Sequence, residues 1–147
     1  MPAPAFLLDA LQSLLDAEEA SIFRFMRRGT PYLTRADADT RREVEAMAEA
    51  SDRHAAELAE LITRLGGTIR PAPVQSENQF LAYLSLQFLL PKLAEAKRRM
   101  IERYVNTLRA LKDAPPEVIE LLNVHLVQHR HDLARLELAI AEHIEPQ

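Results

Sequence analysis

The chain has 147 residues, enough for one domain with a core of its own, and is 48% hydrophobic and 27% charged, as globular proteins are. It contains no cysteine, which excludes disulfides, thiolate zinc or iron–sulfur sites and cysteine nucleophiles, and leaves His, Asp and Glu as the strong metal ligands. A net charge of -4, with only local basic clusters at Arg27–Arg28, Arg41–Arg42 and Lys97–Arg98–Arg99, argues against a nucleic-acid partner; with no signal-peptide pattern and no apolar run of about 20 residues, the chain is expected to be cytoplasmic and off the membrane.

Three glycines and abundant Ala, Leu, Glu and Arg predict an all-α chain. A first helix is expected from Pro4 to Arg28, with Leu7, Leu11, Leu14, Leu15, Ile22 and Phe25 on one face and a break at "RRGTPYLT". Thr34 with Asp37 resembles a capping box for a second helix, from Arg35 to Leu65, which ends at Gly66–Gly67. The polar link "TIRPAPVQSE" reads as a crossover, and Ser76 as the cap of a third helix from Glu77 to Lys112, kinked near Pro91. "DAPPE" turns the chain into a fourth helix, from Pro116 or Glu117 to Ile144. Hairpin, crossover, hairpin is the order of a four-helix bundle, here a single domain over residues 1–147.

Each predicted apolar stripe carries one polar residue at its centre. Glu18 lies between Leu15 and Ile22; His54 interrupts Val44, Met47, Leu58, Leu61, Ile62 and Leu65, with Ser51 one turn before it. Lys97 sits among Leu86, Leu90, Leu93, Ile101, Tyr104, Leu108 and Leu111; His129 sits among Leu122, Leu126, Leu133, Leu136 and Ile140. A buried carboxylate or ammonium costs several kcal/mol unless paired. Four such residues are therefore expected to meet one another, or something bound between them.

In "DRHAAELAELITRLGG", "HRHDLARLELAI" and "LLDAEEASIFRF" the chain resembles the ferritin-like superfamily, the four-helix bundles of bacterioferritin and rubrerythrin type. The resemblance covers nearly the whole chain. It implies a dimetal site built from a Glu on helices one and three and a Glu-x-x-His pair on helices two and four. Glu18, His54 and His129 match three of these ligands. The other three positions hold Ser51, Leu126 and, in "KRRMIERY", Lys97; Glu95 and Glu102 lie well round the wheel from the stripe.

The electrostatic consequence is direct. One carboxylate, two neutral imidazoles and an ammonium offer no net negative charge to two divalent irons, so an ordinary ferroxidase or iron store is not expected. One reading is a metal-free core in which a Glu18–Lys97 ion pair replaces the metals and His54 and His129 complete a hydrogen-bond network. The other is a single divalent ion, iron or manganese, held by Glu18, His54 and His129 in an oxidoreductase, with Lys97 neutral or swung aside. A full di-iron oxidase would need carboxylates from off the stripe.

Glu57 and Asp132 each follow a core histidine by three residues; they can orient the imidazoles or rebuild a reversed ligand pair, but boundary positions are expected for both. His125, His129 and Asp132 follow an i, i+4, i+7 spacing that can chelate a metal, but His125 is expected at the edge of its stripe and partly exposed, and His131 and His143 at the surface or boundary. Tyr104 is a candidate redox neighbour of a metal, but a core tyrosine that packs its ring and hydrogen-bonds its hydroxyl is expected, with no role claimed for it. Phe80, Leu81, Leu84 and Phe88 form a second apolar stripe, pointing to a symmetric homodimer.

Overall fold

The computed structural model describes residues 3–26, 38–70 and 86–144. Within them the chain forms α1 (Ala5–Glu19), α2 (Ile22–Met26), α3 (Ala38–Arg64), α4 (Leu86–Ala110) and α5 (Pro116–Ile144), with no strand. The candidate capping box at Thr34 and Asp37, the crossover link from Pro71 onward, the start of helix three at Glu77 with its Ser76 cap, and the side chains of Phe25, Phe80, Leu81, Leu84, Phe88 and His143 lie outside the described residues.

The predicted first helix is two helices. Its i→i−4 ladder stops where the Ala20 amide bonds Asp16 O and the Ser21 amide tightens to a three-residue bond with Glu18 O. Ser21 then caps a new start, its Oγ accepting the Phe23 amide at 3.2 Å. The break falls two residues after Glu18, so the helix is interrupted beside its one buried carboxylate.

The end of α3 follows its glycine pair closely. Gly66 adopts φ 88, the Gly67 amide returns to Ile62 O at 2.9 Å and the Gly66 amide to Thr63 O at 3.0 Å, the paired bonds of a Schellman stop. A Cβ on Gly67 would stand 2.8 Å from Ile62 Cγ2 and 3.0 Å from Leu8 Cδ2, so the chain turns in close contact with α1. Helix α4 runs through Pro91, and Pro116 opens α5 at the position where a missing amide costs nothing.

Helices α1 and α2 pack on α3, and α4 packs on α5, as two hairpins that face each other. The apolar core falls into two clusters. One gathers Leu11, Leu15, Leu58, Leu61, Leu111 and Leu122; the other gathers Phe23, Val44, Met47, Leu90, Leu93 and Leu136. Each fully buried Leu contributes about 1.5–3 kcal/mol, and these clusters hold the bundle together from its two ends. Between them lies a polar layer: Glu18, Ser51, His54, Lys97, His125, His129 and Asp132 are all buried. No described helix is long and apolar enough to cross a membrane.

Candidate metal centre

The layer is organised on one oxygen. Glu18 Oε2 accepts from Tyr104 Oη at 2.7 Å, from His129 Nε2 at 2.7 Å and from His54 Nδ1 at 3.2 Å. Its other oxygen, Oε1, is buried and has no hydrogen-bond partner among the described residues. Burial by itself would raise the Glu18 carboxyl, but the bonds from His129 and His54 outweigh it and hold the group well below the usual carboxylate range. Glu18 is therefore an anion at the centre of the bundle.

Lys97 is buried, and burial pushes its ammonium below the usual lysine range while Asp132 and Glu18 oppose that shift. Its Nζ lies 3.2 Å from Asp132 Oδ2, 2.9 Å from His129 Nδ1 and 4.5 Å from the centre of the Phe23 ring. Asp132 holds its other oxygen against Gln128 Nε2 at 2.8 Å. Asp132 Oδ2 is buried and makes no hydrogen bond among the described residues, so the Lys97 amine 3.2 Å away is the counter-charge placed to offset it.

These contacts fix a tautomer. His129 is kept neutral, chiefly by burial and further by the Lys97 charge. An ammonium donates to its Nδ1, so its single proton sits on Nε2, aimed at Glu18. The expected direct Glu18–Lys97 pair is corrected on this point: the ion-pair partner of Lys97 is Asp132, and Lys97 reaches Glu18 through the His129 ring.

A second arm of the layer is one the sequence did not reveal. Tyr104, fully buried, spends its proton on Glu18, and burial with the Glu18 charge raises its phenol far above the usual range. His125 Nδ1 stands 3.0 Å from the same phenol oxygen, and its Nε2 stands 3.2 Å from Glu57 Oε1. The expected partly exposed His125 is corrected, for its side chain is wholly buried and stacks on His54 with ring centroids 4.0 Å apart. Burial, ahead of the charges of neighbouring imidazoles, pushes His125 down to about 3. Its signal was Tyr104 itself, two turns after Lys97 on the same face.

The remaining candidates divide. Asp132 is buried, not at the boundary, because Lys97 needs a counter-ion; Glu57 does lie at the boundary, and it contacts His125 rather than His54. Ser51 is buried, and its Oγ faces Ser21 Oγ at 3.4 Å. Leu126 is buried among the apolar residues of the core. Glu95 and Glu102 are exposed, Glu95 pairing with Arg99, and His131 is exposed as expected.

One atom each from Glu18, His54 and His129 can be chosen so that all lie within 4.8 Å of one another, close enough to hold a metal ion. Among the described residues the set offers one buried carboxylate to a metal, Glu18, because Asp132 faces Lys97 and Glu57 lies at the boundary against His125, so it suits one ion better than two. A single divalent ion fits the donor set but meets a proton on His129 Nε2 for as long as Lys97 donates to Nδ1. Compared with known proteins, the chain matches no family model, no curated sequence and no solved structure.

Proposed function

We propose that this chain is a ferritin-like bundle in which a fixed charge network has taken the place of the two metals, making it a structural or interaction protein rather than a ferroxidase or an iron store. The observation that carries this reading is Lys97 Nζ, 2.9 Å from His129 Nδ1 and 3.2 Å from Asp132. An ammonium there supplies the positive charge that a carboxylate-centred site needs, and it turns His129 into a donor toward Glu18. Helix positions that the resemblance would fill with acids hold Ser51, Lys97 and Leu126.

A second reading has its own support: the buried Glu18, His54 and His129 with the unpartnered Glu18 Oε1. Two imidazoles and a carboxylate are a donor set for one iron or manganese ion with open positions, which would supply redox chemistry when bound. In that reading Lys97 gives up its proton, and His129 carries its own on Nδ1.

Metal titration separates the two. Protein purified without added metal is expected to hold far less than one ion per chain and to give no tetrahedral or five-coordinate cobalt(II) spectrum on titration with cobalt. Lys97→Met combined with Asp132→Asn frees His129 to present Nε2, and this variant is expected to take up one cobalt(II) per chain, lost again on His54→Ala. Tight metal at one per chain in the unaltered protein, abolished by Glu18→Ala, overturns the metal-free reading.

A further inference from the structure

Helix α5 has two faces. One, carrying Leu122, Leu126, His129 and Leu136, closes the bundle. The opposite face carries Val124, Val127, His131, Ala134, Leu138 and Ala141, alternately three and four residues apart and all exposed. Among the described residues, Val124 at 62%, Val127 at 65% and Leu138 at 58% make up most of the large hydrophobic side chains left in solvent. A 3-4 apolar repeat on the outside of a helix is the seam of a two-helix coiled coil without its second strand. We propose that a second copy of this chain supplies that strand, with the two α5 helices antiparallel.

The flanking charges choose the occupant and its direction. Arg130 and Glu137 sit on one flank of the seam, exposed and without an ion-pair partner among the described residues; Glu142 and Arg135, the latter paired with Glu43 at 3.2 Å, sit on the other. Parallel pairing would set Arg130 against Arg135 of the second copy and Glu137 against its Glu142, like against like on both sides. Antiparallel pairing centred between Asp132 and Leu133 sets Arg130 against Glu137 of the second copy, and by symmetry does so twice.

The apolar layers agree with that centre. It places Val124 over Ala141, Val127 over Leu138 and His131 over Ala134, a large side chain opposite a smaller or flexible one each time. Glu117 and Glu120, which continue the same repeat toward the helix start, then fall beyond the overlap and stay in water. Over this overlap of about 25 Å the apolar stretch of α5 matches the length of helix an antiparallel twin would cover.

Sedimentation velocity on the full chain tests the association, and spin labels test its direction. The protein is expected to dimerise with rising concentration. Leu138→Glu, at an exposed position that leaves the helical signal intact, is expected to weaken the dimer a hundredfold or more. Arg130→Glu is expected to weaken it about tenfold, while Arg130→Glu together with Glu137→Arg returns it to within about threefold of the parent. Because the chain has no cysteine, a nitroxide at Asn123→Cys is unique, and its distance to the twin label is about 30 Å in the antiparallel dimer against about 10 Å in a parallel one. A chain that stays monomeric, whatever covers the face, its own residues 71–85 included, overturns the proposal. So does a dimer indifferent to Leu138→Glu, or the short label distance.

Discussion

The two arms that meet on Glu18 are built from similar parts and solve opposite problems. The lysine arm, His129, Lys97 and Asp132, lies deep in the bundle, and each charge in it has an opposite charge beside it. The tyrosine arm, Tyr104, His125 and Glu57, runs from the core to the half-exposed Glu57 carboxylate and carries no fixed positive charge. Where water cannot reach, the layer is closed by ion pairing. Where it can, the last group is left to solvent.

That contrast predicts a large difference in sensitivity. Lys97→Met leaves Asp132 as a buried anion with no partner and is expected to cost about 3–5 kcal/mol in urea unfolding. Adding Asp132→Asn removes the orphaned charge while keeping an acceptor for Gln128, and is expected to recover most of that loss. A Lys97→Met protein as stable as the parent would mean that Lys97 is neutral, and the asymmetry between the arms would disappear.

Acid tests the tyrosine arm next. His125 is pushed down to about 3 from an ordinary 6.5, first by burial. As the pH falls through 6.5 the unfolded chain takes up a proton that the folded chain refuses, so stability present above this window drains away below it. About 2 kcal/mol is expected to go between pH 7 and 5, measured from urea midpoints, and His125→Gln is expected to flatten that slope. Glu18, held low in the folded state, adds a loss of the same sign further down, where unfolded carboxylates begin to protonate.

Much of the lysine arm was legible because Lys97 and His129, like Glu18 and His54, break an apolar stripe with a charged or imidazole side chain, and the cost of burying such groups unpaired implies that they meet. Asp132 was misjudged as a boundary residue, since a carboxylate one turn after a histidine reads the same whether it faces water or a buried ammonium. The tyrosine arm was hidden for a different reason. A tyrosine satisfies an apolar pattern as well as leucine does, and only three-dimensional placement reveals that its hydroxyl is aimed at Glu18. The break at Ala20–Ser21 was missed because Ile22 continues the apolar period across it, although Ser21 ahead of "IFRF" carried a capping signal.

Tyr104→Phe measures the weight of that hidden hydroxyl. It removes one of three donors from Glu18 and leaves His125 Nδ1 facing a ring edge, so a loss of about 1–2 kcal/mol is expected, with little change in the helical signal. A neutral result would show that the phenol is only packing.

The smallest effect is the most informative about protons. Tyr104 has one proton and gives it to Glu18, so His125 must offer Nδ1–H to the phenol oxygen, which leaves a lone pair on Nε2 facing the Glu57 carboxylate 3.2 Å away. A neutral His125 cannot satisfy both ends. Glu57→Gln supplies the missing donor through its amide and is expected to stabilise the protein by up to about 1 kcal/mol near pH 7, while leaving the acid sensitivity at least as steep, since the carboxylate that would favour a protonated His125 is gone. Were His125 instead a buried imidazolium, the same substitution would remove its only adjacent counter-charge outside the core and destabilise the protein. The sign of this one change, with the nitrogen shifts of His125 read alongside, decides which arm of the layer carries the unpaired proton site.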